Sequence, residues 1–456
     1  MSNADSTRRD FLKTGAAAAA TVAATNAFIA RSAHAASDET VKIALIGCGG
    51  RGSGALMQAL STKQGPIKLI AVADAFEDNA RNALNRYKSS EHGDKIDVKD
   101  DHIFHGFDAY KNAVDCGPDM MIIATPPGFR PIHFEYAVQK DKQIFAEKPV
   151  ATDAPGIQRF LAANAIAKQK NLKVAIGLQR HHQARYIEAV KRIQDGELGD
   201  LRLLRVYWND IGVWVRPRKP GQTEMEYQMR NWYYFVWLCG DHINEQHIHN
   251  LDVANWVMKG HPVEAQGQGG RQVWIGKDNG EIYDHHMVEY TYADGTKMLS
   301  QCRHQANTFS SVSEHAHGTK LGADIGGGRF YSYDGTVNGK TEWQYHYGGP
   351  APAGATGNRR RRNPEPDPYQ VEHDDLQDAI RNNKTYNEGD YGAHSTMTAI
   401  MGRMATYSGK VIKWDEAINS KRSVMPERYA WDAAPPTVPD AEGNYPIPVP
   451  GKTQVL

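Results

Sequence analysis

Between Val41 and Asp74 the chain reads as an apolar run, a glycine-rich turn, a helical stretch and a second apolar run closed by an acid. Val41 to Ile46 has the length of a short buried strand, and Gly47, Gly49 and Gly52 follow it with the spacing G-x-G-x-x-G. In such a unit the first glycine permits a tight turn and the second lets the backbone approach a pyrophosphate. The third lets the helix lie close on the strand, and the helix N-terminus points its free N–H groups at the phosphates. The second strand, Lys68 to Ala73, ends on Asp74, where a carboxylate accepts hydrogen bonds from the adenosine ribose. Glycine spacing alone fits a merely structural turn, but this order of strand, glycines, helix, strand and acid specifies a dinucleotide site. Gly47, Gly49, Gly50, Arg51, Gly52 and Asp74 are its expected cofactor-binding residues. The charge on Asp74 would repel a 2′-phosphate, so NAD is expected rather than NADP. Arg51 is the residue able to soften that preference.

Strand and helix patterns continue to alternate beyond Asp74. Phe76 to Tyr87 is helical. Asp119 to Thr125 is a buried strand ending at Pro126-Pro127, Ile132 to Gln139 is helical, and Gln143 to Ala146 is a strand ending at Glu147-Lys148-Pro149. Repeated strand and helix give a parallel sheet that binds ligands at the carboxyl ends of its strands. Thr125, Pro126, Glu147 and Lys148 therefore share the rim of the glycine turn. From Asp153 the pattern changes. A helix to Lys170, a strand from Lys173 to Gly177 and a helix from Arg185 to Asp195 precede strand-like runs at Leu201 to Trp208, His286 to Tyr292, Lys297 to Arg303 and Ser310 to Glu314. Ala293 to Thr296 joins two of these as an antiparallel hairpin. The expected fold is α/β: a Rossmann domain over residues 36–152 and an α+β domain over 153–432, with a Pro-rich tail over 433–456. The Gly-, Pro- and Arg-rich stretch from Gly348 to Pro368 reads as an exposed excursion. Its run Arg359 to Arg362 is either a solvated or subunit-contact loop or an anion site.

Residues 1–35 stand apart from the fold. Thr7-Arg8-Arg9-Asp10-Phe11-Leu12-Lys13 reads as a twin-arginine export signal, followed by an Ala-rich stretch and a small-residue cleavage site at Ala33-His34-Ala35. A cytosolic protein with an Ala-rich arm is the alternative. The stretch is too weakly apolar to span a membrane, so the mature protein is expected to be soluble and periplasmic or otherwise extracytoplasmic. Lysine plus arginine (53) equals aspartate plus glutamate (53), which leaves no global field favouring nucleic acid or a membrane surface. Cys48, Cys116, Cys239 and Cys302 show no paired spacing and are expected as free thiols.

The glycine fingerprint, Thr125-Pro126-Pro127 with His133 downstream, and Ala146-Glu147-Lys148-Pro149 resemble the glucose–fructose oxidoreductase / inositol dehydrogenase / MocA family. The likeness continues through Gly177-Leu178-Gln179-Arg180, a histidine-rich helix, Glu372-His373, Ile380-Arg381 and Gly402-Arg403-Met404, and covers nearly the whole mature chain. It implies oxidation or reduction of a sugar or cyclitol with a nicotinamide cofactor. It also implies one large, mostly antiparallel open sheet that covers the nicotinamide and mediates oligomerisation, giving a dimer or tetramer.

Oxidising a secondary alcohol needs a base for the hydroxyl proton and a donor that holds the oxygen. Lys148, at a strand end on the cofactor rim, is the expected oxygen-holding cation. The stretch from Gly240 to Asp252, continued to Met258, reads as one helix with Glu245, His249 and Asp252 on one face. A carboxylate one turn from His249 would orient it and poise it near neutral pH as proton acceptor. The resemblance assigns the same roles: His249 matches the family's catalytic histidine and Glu245 an acid that many members carry as Asp. His242, Glu245 and His249 could share a metal on one face, but neither H-E-x-x-H nor a Cys/His cluster is present, so no metal is expected. Arg180, Tyr186 and Asp252 are candidate substrate contacts, with His181 and His182 beside them. The run Trp232 to Phe235 is either a stacking wall for a sugar ring, led by Trp232, or core.

The leading expectation is an NAD(H)-dependent oxidoreductase acting on a sugar, glycoside or cyclitol, with tightly held cofactor. The alternatives are an NAD-dependent glycosidase or lyase working by transient oxidation and elimination, and a non-catalytic dinucleotide or sugar sensor.

Overall fold

The computed structural model describes residues 39–336, 338–348 and 365–456. The twin-arginine segment and the Arg359 to Arg362 run lie outside the described residues. Six strands make the first sheet: β1 (Val41–Ile46), β2 (Ile67–Asp74), β3 (Ile103–His105), β4 (Met120–Ile123), β5 (Gln143–Ala146) and β6 (Val174–Ile176). They run parallel in the order β3-β2-β1-β4-β5-β6. The order reverses between β1 and β4, which places a ligand crevice beyond the carboxyl ends of those strands. β1, β4 and β5 are almost wholly buried, as their continuous apolar runs require when helices cover both faces.

This unit reaches beyond the boundary drawn at residue 152. β6 pairs with β5, and the helix Ala154–Gln169 that leads to it packs with the helix Arg130–Gln139. The helix Pro368–Arg381, far along the chain, also belongs here. Its Leu376 and Ile380 enter the core formed by Val41, Ile43 and Phe145. Arg381 ties its end down by donating to the carbonyls of Pro66 (2.7 Å) and Glu39 (3.1 Å). A strand pattern tells that a sheet exists but not which sheet a later segment completes.

The second sheet has nine strands: β7 (Leu201–Asp210), β8 (Glu264–Gly270), β9 (His285–Thr291), β10 (Lys297–His304), β11 (Ser311–Gly318), β12 (Leu321–Asp324), β13 (Arg329–Ser332), β14 (Lys340–Gln344) and β15 (Ile412–Lys413). Its order is β14-β13-β12-β11-β7-β10-β9-β8-β15, antiparallel except for β7 with β10. The hairpin at Ala293 to Thr296 joins β9 to β10. β8, Glu-Ala-Gln-Gly-Gln-Gly-Gly, has no strand signature in its sequence. Its Gly267 leaves room for close neighbours, since an added Cβ would lie 2.6 Å from Met287 O and 3.2 Å from Thr406 Cγ2. Thr406 belongs to the helix Gly389–Ser408, buried on nearly every side between the two sheets. The Pro-rich tail forms no regular element among its described residues, and anchors through Tyr445, which packs edge-on against Phe235 at 5.0 Å. All four cysteines are free thiols, three of them buried. No helix among the described residues is long and apolar enough to cross a membrane.

Candidate active site

A cavity of about 490 Å³ opens where the first sheet reverses its order, walled on its far side by the second domain. The turn after β1 forms one rim. Gly47 has φ +96°, a conformation natural to glycine, and an added Cβ on Gly52 would sit 1.9 Å from Gly47 O. At Gly49 an added Cβ would meet nothing within 4 Å, and the helix Gly50–Ser61 begins there, so space is open beside the helix N-terminus. A phosphate-bearing group fits such a cradle. Asp74 ends β2 beside it, held by the N–H groups of Cys48 (2.8 Å) and Phe76 (3.0 Å) and by Asn79 Nδ2 (3.2 Å). Burial pushes its carboxyl above the usual range, and these donors offset part of that. Thr125 and Pro126 follow β4 on the same rim, with the Thr125 hydroxyl 3.1 Å from His133 Nδ1.

Arg51 lines the cavity with its side chain already paired. Its Nε pairs with Glu147, and its terminal nitrogens reach Gln58 (3.1 Å) and Glu372 (3.3 Å). The Tyr369 ring lies 4.8 Å from the guanidinium carbon. The Arg51 charge is thus engaged by two carboxylates.

Lys148 and His249 both line the cavity, one from each domain. What brings them together is a break in the helix expected to run unbroken from Gly240 to Met258. The segment divides into His242–Glu245 and Ile248–Met258, with Gln246 bent out at φ −117°. The His249 N–H therefore bonds to Gln246 O at 3.3 Å rather than to Glu245 O. The Glu245 carbonyl, released from the helix ladder, accepts from Lys148 Nζ, and Glu245 Oε1 lies 3.5 Å from the same ammonium. Gln246 points its amide oxygen at His304 Nε2, which holds the bend.

The expected Glu245–His249 pairing is not formed. Glu245 serves Lys148, and His249 Nδ1 has no hydrogen-bond partner. Burial, reinforced by the charges of Lys148, Arg180 and Arg51, holds His249 well below the ordinary histidine range, not near neutrality. Burial raises Glu245, and Lys148 draws it back down.

Three expected substrate contacts lie elsewhere. Arg180 pairs with buried Glu314, which also accepts from Tyr186 Oη (3.0 Å) and Asn250 Nδ2. Burying a carboxylate demands such a set of partners, and it consumes both side chains. Asp252 turns to the helix Gly389–Ser408, meeting Ser395 Oγ (2.8 Å) and His181 Nε2 (2.9 Å). His182 bridges Asp375 and Glu388, which raise it to about 10. Of the aromatic run, Trp232 and Tyr233 line the cavity, while Tyr234 and Phe235 are core. Sequence reasoning missed Trp208, Trp214, Arg216 and Gln246. Trp208 was visible at the end of a strand, and stacks 5.9 Å from the His249 ring. Trp214 and Arg216 sit in a loop whose only signal was an aromatic beside a cation. The alternative metal face of His242, Glu245 and His249 is not assembled, because His242 turns away into the interior.

A 3-2-1-4-5-6 sheet with this crevice at its switch point defines a dinucleotide-binding protein whose second domain closes the site. Residues 41–178 match the oxidoreductase family with an NAD-binding Rossmann fold, and residues 186–323 match the Gfo/Idh/MocA C-terminal domain. The chain belongs to the Gfo/Idh/MocA oxidoreductase family, and its cofactor is NAD. Residues 5–25 match the twin-arginine translocation signal sequence. Inositol 2-dehydrogenase of Rhizobium meliloti is 25% identical over 283 residues, covering 62% of this chain and 74% of that one. Inositol 2-dehydrogenase of Salmonella paratyphi B is 27% identical over 221 residues, covering 48% and 55%. The aldose-aldose oxidoreductase of Caulobacter crescentus shares the fold with a TM-score of 0.60 at 17% identity, over 82% of this chain and all of that one.

Proposed function

We propose that this protein is an NAD(H)-dependent oxidoreductase that acts on a secondary hydroxyl or keto group of a sugar, glycoside or cyclitol. The observation that carries it is the convergence of Lys148 and His249 on the cavity that also holds the glycine turn and Asp74. Bound NAD supplies the hydride acceptor. Lys148, fixed by Glu245, donates to the substrate oxygen and stabilises the negative charge that grows there. The neutral imidazole of His249 takes the hydroxyl proton. Trp214, Trp232 and Arg216 offer aromatic faces and a cation to a polyhydroxylated ring. The inositol dehydrogenases among its relatives support that substrate class, and the signal sequence supports work outside the cytoplasm.

Purified enzyme is expected to oxidise members of a panel of free sugars, cyclitols and glycosides, with a change in nicotinamide absorbance. Release of free sugar from glycosides with no net absorbance change would favour transient oxidation and elimination instead. Binding without either signal would leave a sensor, for which the Lys148–Glu245 pair has no use.

A homo-oligomer, dimer or tetramer, is part of this reading. The face of the nine-stranded sheet away from the helices exposes Met287 and Val312. Sedimentation at micromolar concentration is expected to give a dimer or larger, and a monomer would remove this part.

A further inference from the structure

His242 opens the short helix that carries Glu245, and its ring meets Asp241 and, on β9, His286. The side chains of all three are fully buried. His286 Nε2 lies 3.2 Å and His242 Nε2 3.9 Å from one oxygen, Asp241 Oδ1. One donor atom from each of the three falls within 4.8 Å of the others.

The inward-facing ring nitrogens lack partners, while Asp241 Oδ1 accepts from the His242 N–H. Neither ring nitrogen of His242 has a hydrogen bond, and His286 Nε2 makes no directed one despite its approach to Asp241. Buried polar atoms are rarely left so, and here they converge on one point. The outward-facing atoms of His286 and Asp241, in contrast, are held firmly. His286 Nδ1 lies 2.9 Å from Thr406 Oγ1, and Asp241 Oδ2 accepts from the Tyr407 hydroxyl and the Tyr283 N–H (3.0 Å). Holding the far sides of His286 and Asp241 is how the surroundings of a metal site orient its ligands, while the far nitrogen of His242 is unheld. Asp241 has φ 74° and ψ 162°, a conformation almost reserved for glycine and kept where the surroundings demand it. No lysine or arginine among the described residues forms an ion pair with it.

We infer that Asp241 Oδ1, His242 Nε2 and His286 Nε2 bind one divalent transition-metal ion, Zn²⁺ in the first instance. Two imidazoles and a carboxylate suit that class of ion rather than Mg²⁺ or Ca²⁺, which take oxygen ligands. Tetrahedral bonds of about 2.0–2.2 Å set donors roughly 3.3 Å apart; His286 matches that at 3.2 Å from Asp241 Oδ1, and His242, at 3.9 Å, must draw in on binding. None of the three residues lines the cavity, so the ion is assigned a structural role. It ties the helix bearing Glu245 to the nine-stranded sheet, directly behind the Lys148 contact and the bend at Gln246.

The test is metal content of the full-length chain, purified without chelator and measured by plasma mass spectrometry against amino-acid analysis. About one equivalent of zinc, manganese or iron per chain is expected, retained through EDTA dialysis and released on unfolding in guanidinium. The His242→Gln/His286→Gln double variant should retain less than a tenth of it. Wild-type protein with less than a tenth of an equivalent, even after expression with added zinc, manganese and iron, overturns the inference. So does unchanged content in the double variant, which would place the ion elsewhere. If the variant does not fold, an anomalous-scattering peak bonded to these three atoms in crystals of the wild type decides, and its absence refutes the site. None of these readings depends on NAD binding or turnover, so they stand apart from the proposed activity.

Discussion

Lys148→Ala and His249→Ala should each lower turnover by about 10²–10⁴-fold, the usual weight of a positioned acid or base; the melting temperature should change little in His249→Ala and fall in Lys148→Ala, which strips buried Glu245 of its cation. Both side chains face the cavity rather than the core, and the His249 Nδ1 makes no hydrogen bond whose loss would weaken the fold. Circular dichroism melts and single-turnover rates measure the two quantities separately. Near-native turnover in either variant removes that residue from the reaction. The pH profile carries a second reading of His249. Burial and the Lys148 charge keep its ring neutral at and below pH 6.5. A base must be unprotonated, so oxidation holds through pH 6.5 and falls only as pH drops to the lowered value. An acid limb centred above 6.5 would mean another group is the base. Glu245→Gln should be milder than either alanine variant, because it loosens Lys148 through one 3.5 Å contact and leaves the carbonyl contact in place. A greater loss there than at His249 would transfer the proton-accepting role to Glu245.

Purified enzyme is expected to emerge from gel filtration with NAD(H) bound and to turn over with no nucleotide added. An export signal of the twin-arginine type stands in the same chain as an NAD-binding domain. That route carries folded proteins, so the cofactor can be loaded before export, and a space without a nicotinamide pool offers no replacement. Regeneration in place then requires oxidising one substrate while reducing another, or oxidising and re-reducing the same one around an elimination. Mass spectrometry of denatured protein should identify NAD or NADH. Asp74→Ala should weaken retention by about 10–100-fold, the range for hydrogen bonds to a charged group. Release of NADP alone, or unchanged retention in Asp74→Ala, would displace Asp74 from the ribose. An enzyme that is empty as purified and works only with NAD in solution would end the closed-cycle reading and leave an ordinary dehydrogenase.

What local sequence determined here is what local physics controls. β1, the glycine turn, β2 and Asp74 follow from apolar runs, from a backbone that needs glycine at φ +96° and from a short chain distance. Lys148 was legible because the end of a parallel strand always lies on the ligand rim. Tertiary structure alone decided matters that depend on which distant surface a side chain meets. Three-residue spacing along an ideal helix put Asp252 beside His249, yet packing against the helix Gly389–Ser408 claimed it. Arg180 looked like a substrate contact until β11 brought Glu314 to it. The helix break at Gln246 is invisible in periodicity, because its cause is a hydrogen bond to His304, fifty-eight residues away. Assembly of Asp241, His242 and His286 likewise needed β9 to pass behind the cavity. Chain order sets which chemistry is present. Long-range pairing, which buries one charge against another, sets which of it faces the ligand.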